Sequence, residues 1–441
     1  MIHAQPATRE HEADVLVLGA GVAGIAFRSA LPEHRTATVL EAAPEMGGLV
    51  RVHPRGPYAF DSVPHVLFFR SRRLMAWLHE LLPGGVRGFP RTNSIWQHGR
   101  RIPYPYQYNA GALPDAVRRE CLDGYRDNPH HGQGTGPDAT FQAWLLGQFG
   151  PGFYRHFFRP YNEKLYGLPL DQLLAAPLRW TIPGDDASAV LAGAGTGGEG
   201  APQYYPTGRE GISRIVTALA RRGRGDVVTG CAAVSVDPER RVVRTSTGDA
   251  YRYETLVSSL PLRELVRRMD PVPEAVRALG ESLDALPITV VGVGARTSGP
   301  GLPDLWTYFP DPGIPWYRMT RLEHLSPDLA PPGGTALLLE CAGTTAPPRE
   351  QVVRWLDAHG VAPREAVEHF EVWHVPCAYV LFRPGYRQAR EGVLRWLTER
   401  GIASIGRYGQ WMYADLEMTL KSGFSAARRL GGADPAGFFA E

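Results

Sequence analysis

Asp14-Val15-Leu16-Val17-Leu18-Gly19-Ala20-Gly21-Val22-Ala23-Gly24 is an apolar run of strand length that passes directly into glycines spaced G-x-G-x-x-G. Residues 25–31 (IAFRSAL) follow at helical spacing. In that strand, turn and helix setting each glycine has a physical task. Gly19 permits the tight turn, Gly21 lets backbone approach a pyrophosphate, and Gly24 lets helix and strand pack closely, with the helix N-terminus turned to phosphate. A second strand-like run, residues 36–40 (TATVL), ends at Glu41, twenty residues beyond Gly21. An acid there accepts from ribose hydroxyls, so Glu41 is the expected adenosine-ribose ligand. The predicted frame is α/β, with a Rossmann-like dinucleotide site at the edge of a sheet.

The chain continues Glu41-Ala42-Ala43-Pro44-Glu45-Met46-Gly47-Gly48. Many FAD enzymes resemble this pattern of an acid followed by a glycine pair, with Gly47 and Gly48 passing the phosphates; simple NAD dehydrogenases generally lack it. FAD is therefore expected. Late in the chain come IASIG, Gly406-Arg407-Tyr408-Gly409 and the helix-like MTLKSGFSAARRL. This resembles the strand and helix that close over the flavin in FAD proteins of the glutathione-reductase-like superfamily, which assigns Gly406 to the cofactor.

With 441 residues, Lys+Arg 47 against Asp+Glu 45 and 44% hydrophobic content, the composition excludes disorder, collagen and coiled coil as the main state. A net charge of +2 provides no long-range field for nucleic acid or an anionic membrane, so an anionic ligand must be held by placed arginines. Lysine occurs only at Lys164 and Lys421; nearly all positive charge is arginine. Cys121, Cys231, Cys341 and Cys377 match neither a disulfide framework nor a zinc site, and no metal is expected. The N-terminal MIHAQPATREHEAD has no apolar signal segment, and no run reaches the roughly 18 apolar residues of a membrane span. A cytoplasmic protein is expected, with oligomeric state undetermined.

Periodicity divides the rest. Residues 71–202 carry helix-like patches (LMAWLHELL, FQAWLLGQF, FYRHFFRPY) between Gly/Pro/His loops, and read as a mainly helical insert with a Gly-rich loop near 192–202. Residues 12–70, 203–262 and 400–441 are expected to form a discontinuous FAD-binding domain. The stretch 204–261 resembles the second half of an amine-oxidase-type FAD domain. Residues 263–399 hold apolar runs (ITVVGVG, ALLLECAG, EVWHVPCAYVLF) that predict an antiparallel substrate sheet.

Four islands then resemble one family, the flavin-dependent UDP-galactopyranose mutases, nearer its eukaryotic-type members. Ile102-Pro103-Tyr104-Pro105-Tyr106-Gln107-Tyr108-Asn109 is similar to the segment that holds the nucleotide base, which implies base contacts for Tyr104 and Gln107. Arg159-Pro160-Tyr161-Asn162-Glu163-Lys164 is similar to a P-Y-N-x-K segment, with Asn162 as the implied sugar ligand and Lys164 beside the flavin or a phosphate. Tyr308-Phe309-Pro310 and Pro315-Trp316-Tyr317-Arg318-Met319-Thr320 resemble a Y-F-P, P-F-Y-R-A-T pattern whose Arg grips the diphosphate. Gly406-Arg407-Tyr408-Gly409-Gln410-Trp411-Met412-Tyr413 supplies, by the same resemblance, a second Arg and a phosphate Tyr, with Tyr379 as another. His65, in Phe60-Asp61-Ser62-Val63-Pro64-His65, matches a flavin-side His.

Two guanidinium forks and several phenols suit the roughly two charges of a nucleotide diphosphate. The resemblance implies a pyranose–furanose mutase acting on a UDP-sugar or related NDP-sugar. Reduced flavin N5 attacks the anomeric carbon, and the resulting sugar adduct reopens and recloses without net redox. Arg318, Arg407 and His65 are the implied catalytic set. NAD(P)H is allowed as external reductant, with no second Rossmann unit expected for it. The chain departs from the family at Val63-Pro64, where a glycine pair is usual, at Leu325 in place of a substrate tyrosine, and at Glu417 in place of an amide. The competing readings are an FAD-dependent amine oxidase or desaturase, for which a two-arginine clamp has no use, and a catalytically silent nucleotide-sugar binder.

Overall fold

A computed structural model describes residues 9–69, 71–90, 92–184, 186–195, 203–435 and 437. Most of the Gly-rich stretch near 192–202 lies outside the described residues.

The strand Glu10–Leu18 is the hub of the first sheet. It is apolar on both faces over Val15 to Leu18, as a central strand covered on both sides must be. Ala37–Leu40 and Ala250–Ser258 flank it in parallel, and Ile402–Ser404 pairs in parallel with Ala250–Ser258. An antiparallel pair, Ala233–Asp237 and Val242–Thr245, extends one edge. The registers bring Leu18, Leu40, Ser258 and Ser404 into one row, so the parallel strands all end together. Gly19, Glu41, Ser259 and Gly406 follow within two residues of those ends and gather at the carboxyl edge, where α/β sheets bind ligands. Helix Val22–Ser29 leaves that edge, and Leu416–Arg428 packs along it.

The second sheet runs in the order Val367–Leu381, Asp284–Ala295, Thr335–Ala342, Arg318–Arg321, Trp306–Tyr308, Asn93–Gln97, Arg100–Pro103. Asp284–Ala295 is buried throughout Ile288 to Ala295, as befits its place between two partners. Two features depart from the sequence reading. The stretch 71–202 supplies two strands of this sheet as well as helices. The tight turn at His98 (φ 55) and Gly99 (φ 69) has the left-handed pair that joins antiparallel strands, and it brings Ile95 opposite Ile102. The sheet is also mixed, because Trp306–Tyr308 runs parallel to Asn93–Gln97.

Among the helices, Phe141–Phe153 begins at Thr140, whose Oγ1 accepts the Ala143 N–H at 3.2 Å. It breaks at Gly150 and Pro151, widens into a π-turn at Tyr154–Phe158, and resumes as Arg159–Tyr166, which ends at left-handed Gly167. The break rotates an aromatic face inward: Phe157 stacks on Tyr106 at 4.6 Å and on Tyr161 at 5.4 Å. No helix among the described residues is long and apolar enough to cross a membrane.

Candidate functional site

The carboxyl edge of the first sheet is a cradle of backbone. A Cβ on Gly48 would come 3.3 Å from the Cα of Gly21, so the two chains face each other across a gap that any side chain would fill. Gly47 N–H donates to Ala20 O at 2.9 Å and holds the second glycine pair against the first. Glu41 stands at the far end, where its Oε2 accepts the Ala20 N–H at 2.8 Å and its Oε1 the Ala43 N–H at 2.9 Å. Each carboxylate oxygen keeps a lone pair for a ribose hydroxyl. Gly230 and Cys231 run alongside, donating to Ala43 O and Glu41 O at 2.8 Å each. Gly406 closes the other end: its Cβ would meet that of Ala23 at 2.7 Å, and its N–H donates to Ser422 Oγ at 2.9 Å. An extended pyrophosphate with an adenosine at Glu41 fits these residues.

The second sheet delivers a polar row. Tyr308 lies opposite Arg318, Arg318 opposite Glu340, Glu340 opposite Val290, and Val290 opposite Trp373, so these side chains share one face. Arg318 binds Glu340 through both prongs, Nε to Oε2 at 2.5 Å and Nη2 to Oε1 at 2.8 Å. Tyr317 O–H donates to the same carboxylate at 3.2 Å. Glu340 is 1% exposed, while Arg318 keeps a fifth of its side chain open. The Nη1 end of Arg318 is left outside the pair.

Arg407 arrives from the other side, in the short helix Gly406–Gly409 that follows the first sheet's strand Ile402–Ser404. Its Nη1 donates to Ala414 O at 2.8 Å, its guanidinium lies 4.3 Å over the Tyr413 ring, and its buried Nε has no partner among the described residues. Tyr413 is held edge-on by Trp180 at 4.8 Å. Between them Trp411 adopts φ 47 while 1% exposed, a left-handed conformation that a bulky residue keeps only where packing enforces it.

Tyrosines connect the two arginines. Tyr104 meets Tyr308 at 5.2 Å, Tyr308 meets Tyr161 at 5.5 Å, and Tyr166 meets Tyr379 at 6.1 Å. Tyr379 follows an irregularity in which register jumps from Leu286 opposite Tyr379 to Ile288 opposite Val375, next to Pro287 and Pro376. Prolines lack the ladder donor, and such bulges re-aim side chains. The Tyr379 hydroxyl lies 3.4 Å from that of Tyr317. Burial pushes the Tyr379 phenol up to about 12 even though Arg318 pulls the other way, so it is an O–H donor at neutral pH.

His65 sits in the field of both arginines. Burial lowers its pKa to about 4, with Arg407 and Arg318 adding to the effect, and its ring is therefore neutral. Nδ1–H donates to Val63 O at 2.8 Å, which leaves Nε2 as the acceptor. His65, Arg318, Arg407, Tyr104, Tyr308, Tyr379 and Tyr413 are thus neighbours in space.

Three sequence-selected residues are buried. Gln107 is 1% exposed, and its amide donates to Pro183 O at 3.2 Å. Asn162 is 3% exposed; its amide donates at 2.7 Å to Phe158 O, beside the π-turn, leaving the Oδ1 acceptor. Leu325 packs with Leu322 and Leu329 in the core. Lys164 donates to Phe309 O and Asp311 O at 2.8 Å each and so fixes the turn behind Tyr308, with burial lowering its pKa to about 8. Glu417 is buried and pairs with Lys421 at 2.8 Å. Sequence reasoning missed Glu340, Tyr161, Tyr166 and Tyr317. For Glu340 the available signal was a single acid inside the apolar run TALLLECA.

Solved structures similar to this chain share its fold. A reduced UDP-galactopyranose mutase matches with TM-score 0.85 and 23% identity over 95% of this chain and 93% of that one. A protein provisionally named a protoporphyrinogen oxidase, from Exiguobacterium sp. 255-15, matches with TM-score 0.73 and 13% identity over 96% and 99%. Wild-type putrescine oxidase bound to putrescine matches with TM-score 0.62 and 14% identity over 96% and 99%. The family model of flavin containing amine oxidoreductases covers residues 22–430. The glycine cradle, the acid at its end and a match across nearly the whole chain agree: this is a flavoprotein that binds FAD, and it belongs to the flavin containing amine oxidoreductase family.

Proposed function

We propose that the protein is an FAD-dependent mutase that interconverts the pyranose and furanose forms of a UDP-sugar or related nucleotide-diphosphate sugar. The observation that carries this reading is the convergence of Arg318, from a strand of the second sheet, and Arg407, from the helix Gly406–Gly409, on His65 and the tyrosine cluster. With Glu340 ion-paired to Arg318 and His65 neutral, Arg407 adds a further positive charge, a favourable setting for a diphosphate and a poor one for a cationic amine. Arg318 offers the N–H groups that Glu340 does not use, Arg407 those that Ala414 does not use, and Tyr379 and Tyr413 add phenolic donors. Held in fixed positions, these donors stabilise negative charge as the diphosphate departs and keep it in place for its return. Tyr104, Tyr161 and Tyr308 supply aromatic faces for base or sugar. When bound, reduced FAD supplies the nucleophile for the anomeric carbon, with no net redox change.

The structural likeness to a UDP-galactopyranose mutase supports the reading, and family membership alone accommodates an oxidase equally well. Titration of the oxidised holoprotein with UDP separates the two. The mutase reading expects saturable UDP binding that Arg407→Ala abolishes while the yellow chromophore is retained. An absence of UDP binding, together with oxygen consumption on addition of an amine, assigns the oxidase instead.

A further inference from the structure

Asp61 is a carboxyl with 0% exposure at the end of strand Tyr58–Asp61, four residues before His65. Its Oδ1 accepts the Tyr205 O–H at 2.5 Å, and that phenol in turn accepts the Ile212 N–H. Its Oδ2 faces the His65 N–H at 3.5 Å. Among the described residues no cation pairs with it; burial raises its pKa to about 7, against the two hydrogen bonds that lower it. A buried acid without a cationic partner is costly, and a loop anchor that needed only one acceptor would be met more cheaply by an amide. Asp61 meets two donors that approach its two oxygens from separate elements. A carboxyl, protonated or not, keeps an acceptor lone pair on each oxygen and can meet both donors, whereas an amide offers a single acceptor oxygen.

The rest of the loop is tied in the same manner. Ser62 N–H donates to Arg51 O at 2.8 Å, Trp373 Nε1–H donates to Ser62 O at 2.7 Å, and Ser62 Oγ lies 2.8 Å from His53 Nε2. Leu67 and Tyr204 exchange backbone hydrogen bonds at 2.8 and 3.1 Å. Val63 and Pro64 fill the intervening positions, and Pro64 restricts the backbone there. We propose that Asp61, held by Tyr205, is a positioning residue that locks the 62–66 loop and thereby fixes His65 between Arg318 and Arg407. The consequence for catalysis rests on the reading of His65 as a flavin-side residue; the positional claim does not.

Asp61→Asn is the decisive variant, because it must turn an NH2 toward either the Tyr205 hydroxyl or the His65 N–H. The holoprotein labelled with 15N-histidine reports the ring of His65 directly, its signal being assigned by its loss in His65→Ala. The expected result is that Asp61→Asn moves the His65 pKa from about 4 toward 6.5, as the ring leaves burial and the two guanidiniums. Tyr205→Phe, which keeps the fold's volume and removes one donor, moves it part of the way. An unchanged His65 titration in Asp61→Asn, whatever happens to Tm, overturns the proposal. The midpoint potential of bound FAD is measured on the same samples. If the His65 pKa moves and the potential follows, with Asp61→Asn/His65→Ala equal to His65→Ala alone, the positioning and its link to the flavin both hold. If the pKa moves while His65→Ala itself leaves the potential unchanged, the positioning stands and the flavin-side reading of His65 falls.

Discussion

Glu340 stands inside a strand otherwise built of buried apolar residues and small ones, and its companion is Arg318. Arg318→Ala therefore does two things at once. It removes a diphosphate donor, lowering UDP affinity on the order of a hundredfold, and it strands a buried carboxylate at a cost of about 3 kcal/mol. The double variant Arg318→Ala/Glu340→Gln is expected to recover most of the lost Tm and none of the lost affinity. Recovery of both would show that Arg318 acts only through the fold. A second residue-scale prediction concerns pH. Asp61 holds its proton up to about 7 in the folded protein, against an ordinary value of 3.8, so between those values the native state binds the extra proton and stability falls as pH rises. His65, lowered from 6.5 to about 4, does the reverse: the unfolded chain binds the extra proton, and stability rises with pH over that window. The two slopes oppose each other in the parent protein. Urea unfolding from pH 4 to 6.5 is expected to show stability falling with pH in His65→Ala, with a limit of about 1.4 kcal/mol per pH unit, and neither slope in Asp61→Asn, where the acid is gone and the His65 pKa moves toward its ordinary value. Alanine at position 65 preserves the backbone N–H that Asp61 contacts. Stability that does not fall with pH in His65→Ala would contradict the assignment.

At the scale of elements, the first βαβ unit was legible because its signals are local: an apolar strand, three spaced glycines, and an acid one strand later. The meeting of Gly21 with Gly48 realises that reading, and it makes a prediction. Gly48→Val places a branched side chain at φ 57 facing Gly21, and is expected to weaken FAD binding at least tenfold with little change in far-UV CD. Retained stoichiometric flavin would remove the glycine pair from the cofactor site. What the sequence did not disclose was non-local. The strands at 93–103 were hidden within a helical stretch because only a hairpin turn at His98 and Gly99 marks them. Glu340 had no motif around it, and its partnership with Arg318 exists only through strand register. The inward turn of Gln107 depends on Pro183, seventy-six residues on, which no spacing rule connects to it beforehand.

In the whole molecule, two sheets of different origin meet at one site: the carboxyl edge of the first brings the cofactor cradle and Arg407, and a single face of the second brings Tyr308, Arg318 and Glu340. FAD seated in the glycine cradle would bridge segments from residue 19 to residue 406, and its binding is then expected to stabilise the fold as a unit. At a free concentration one hundred times its Kd the gain is about 2.7 kcal/mol, read as a single higher unfolding transition of holoprotein over apoprotein. The central claim is that this site isomerises a nucleotide-diphosphate sugar. The most direct measurement is anaerobic incubation of the holoprotein, with and without dithionite, with a panel of UDP-, dTDP- and GDP-sugars, followed by chromatographic separation of products of unchanged mass. The account predicts an isomer from at least one sugar, formed only when the flavin is reduced. Turnover of an amine by the oxidised protein with uptake of oxygen, and no isomer from any sugar in the panel, would contradict it.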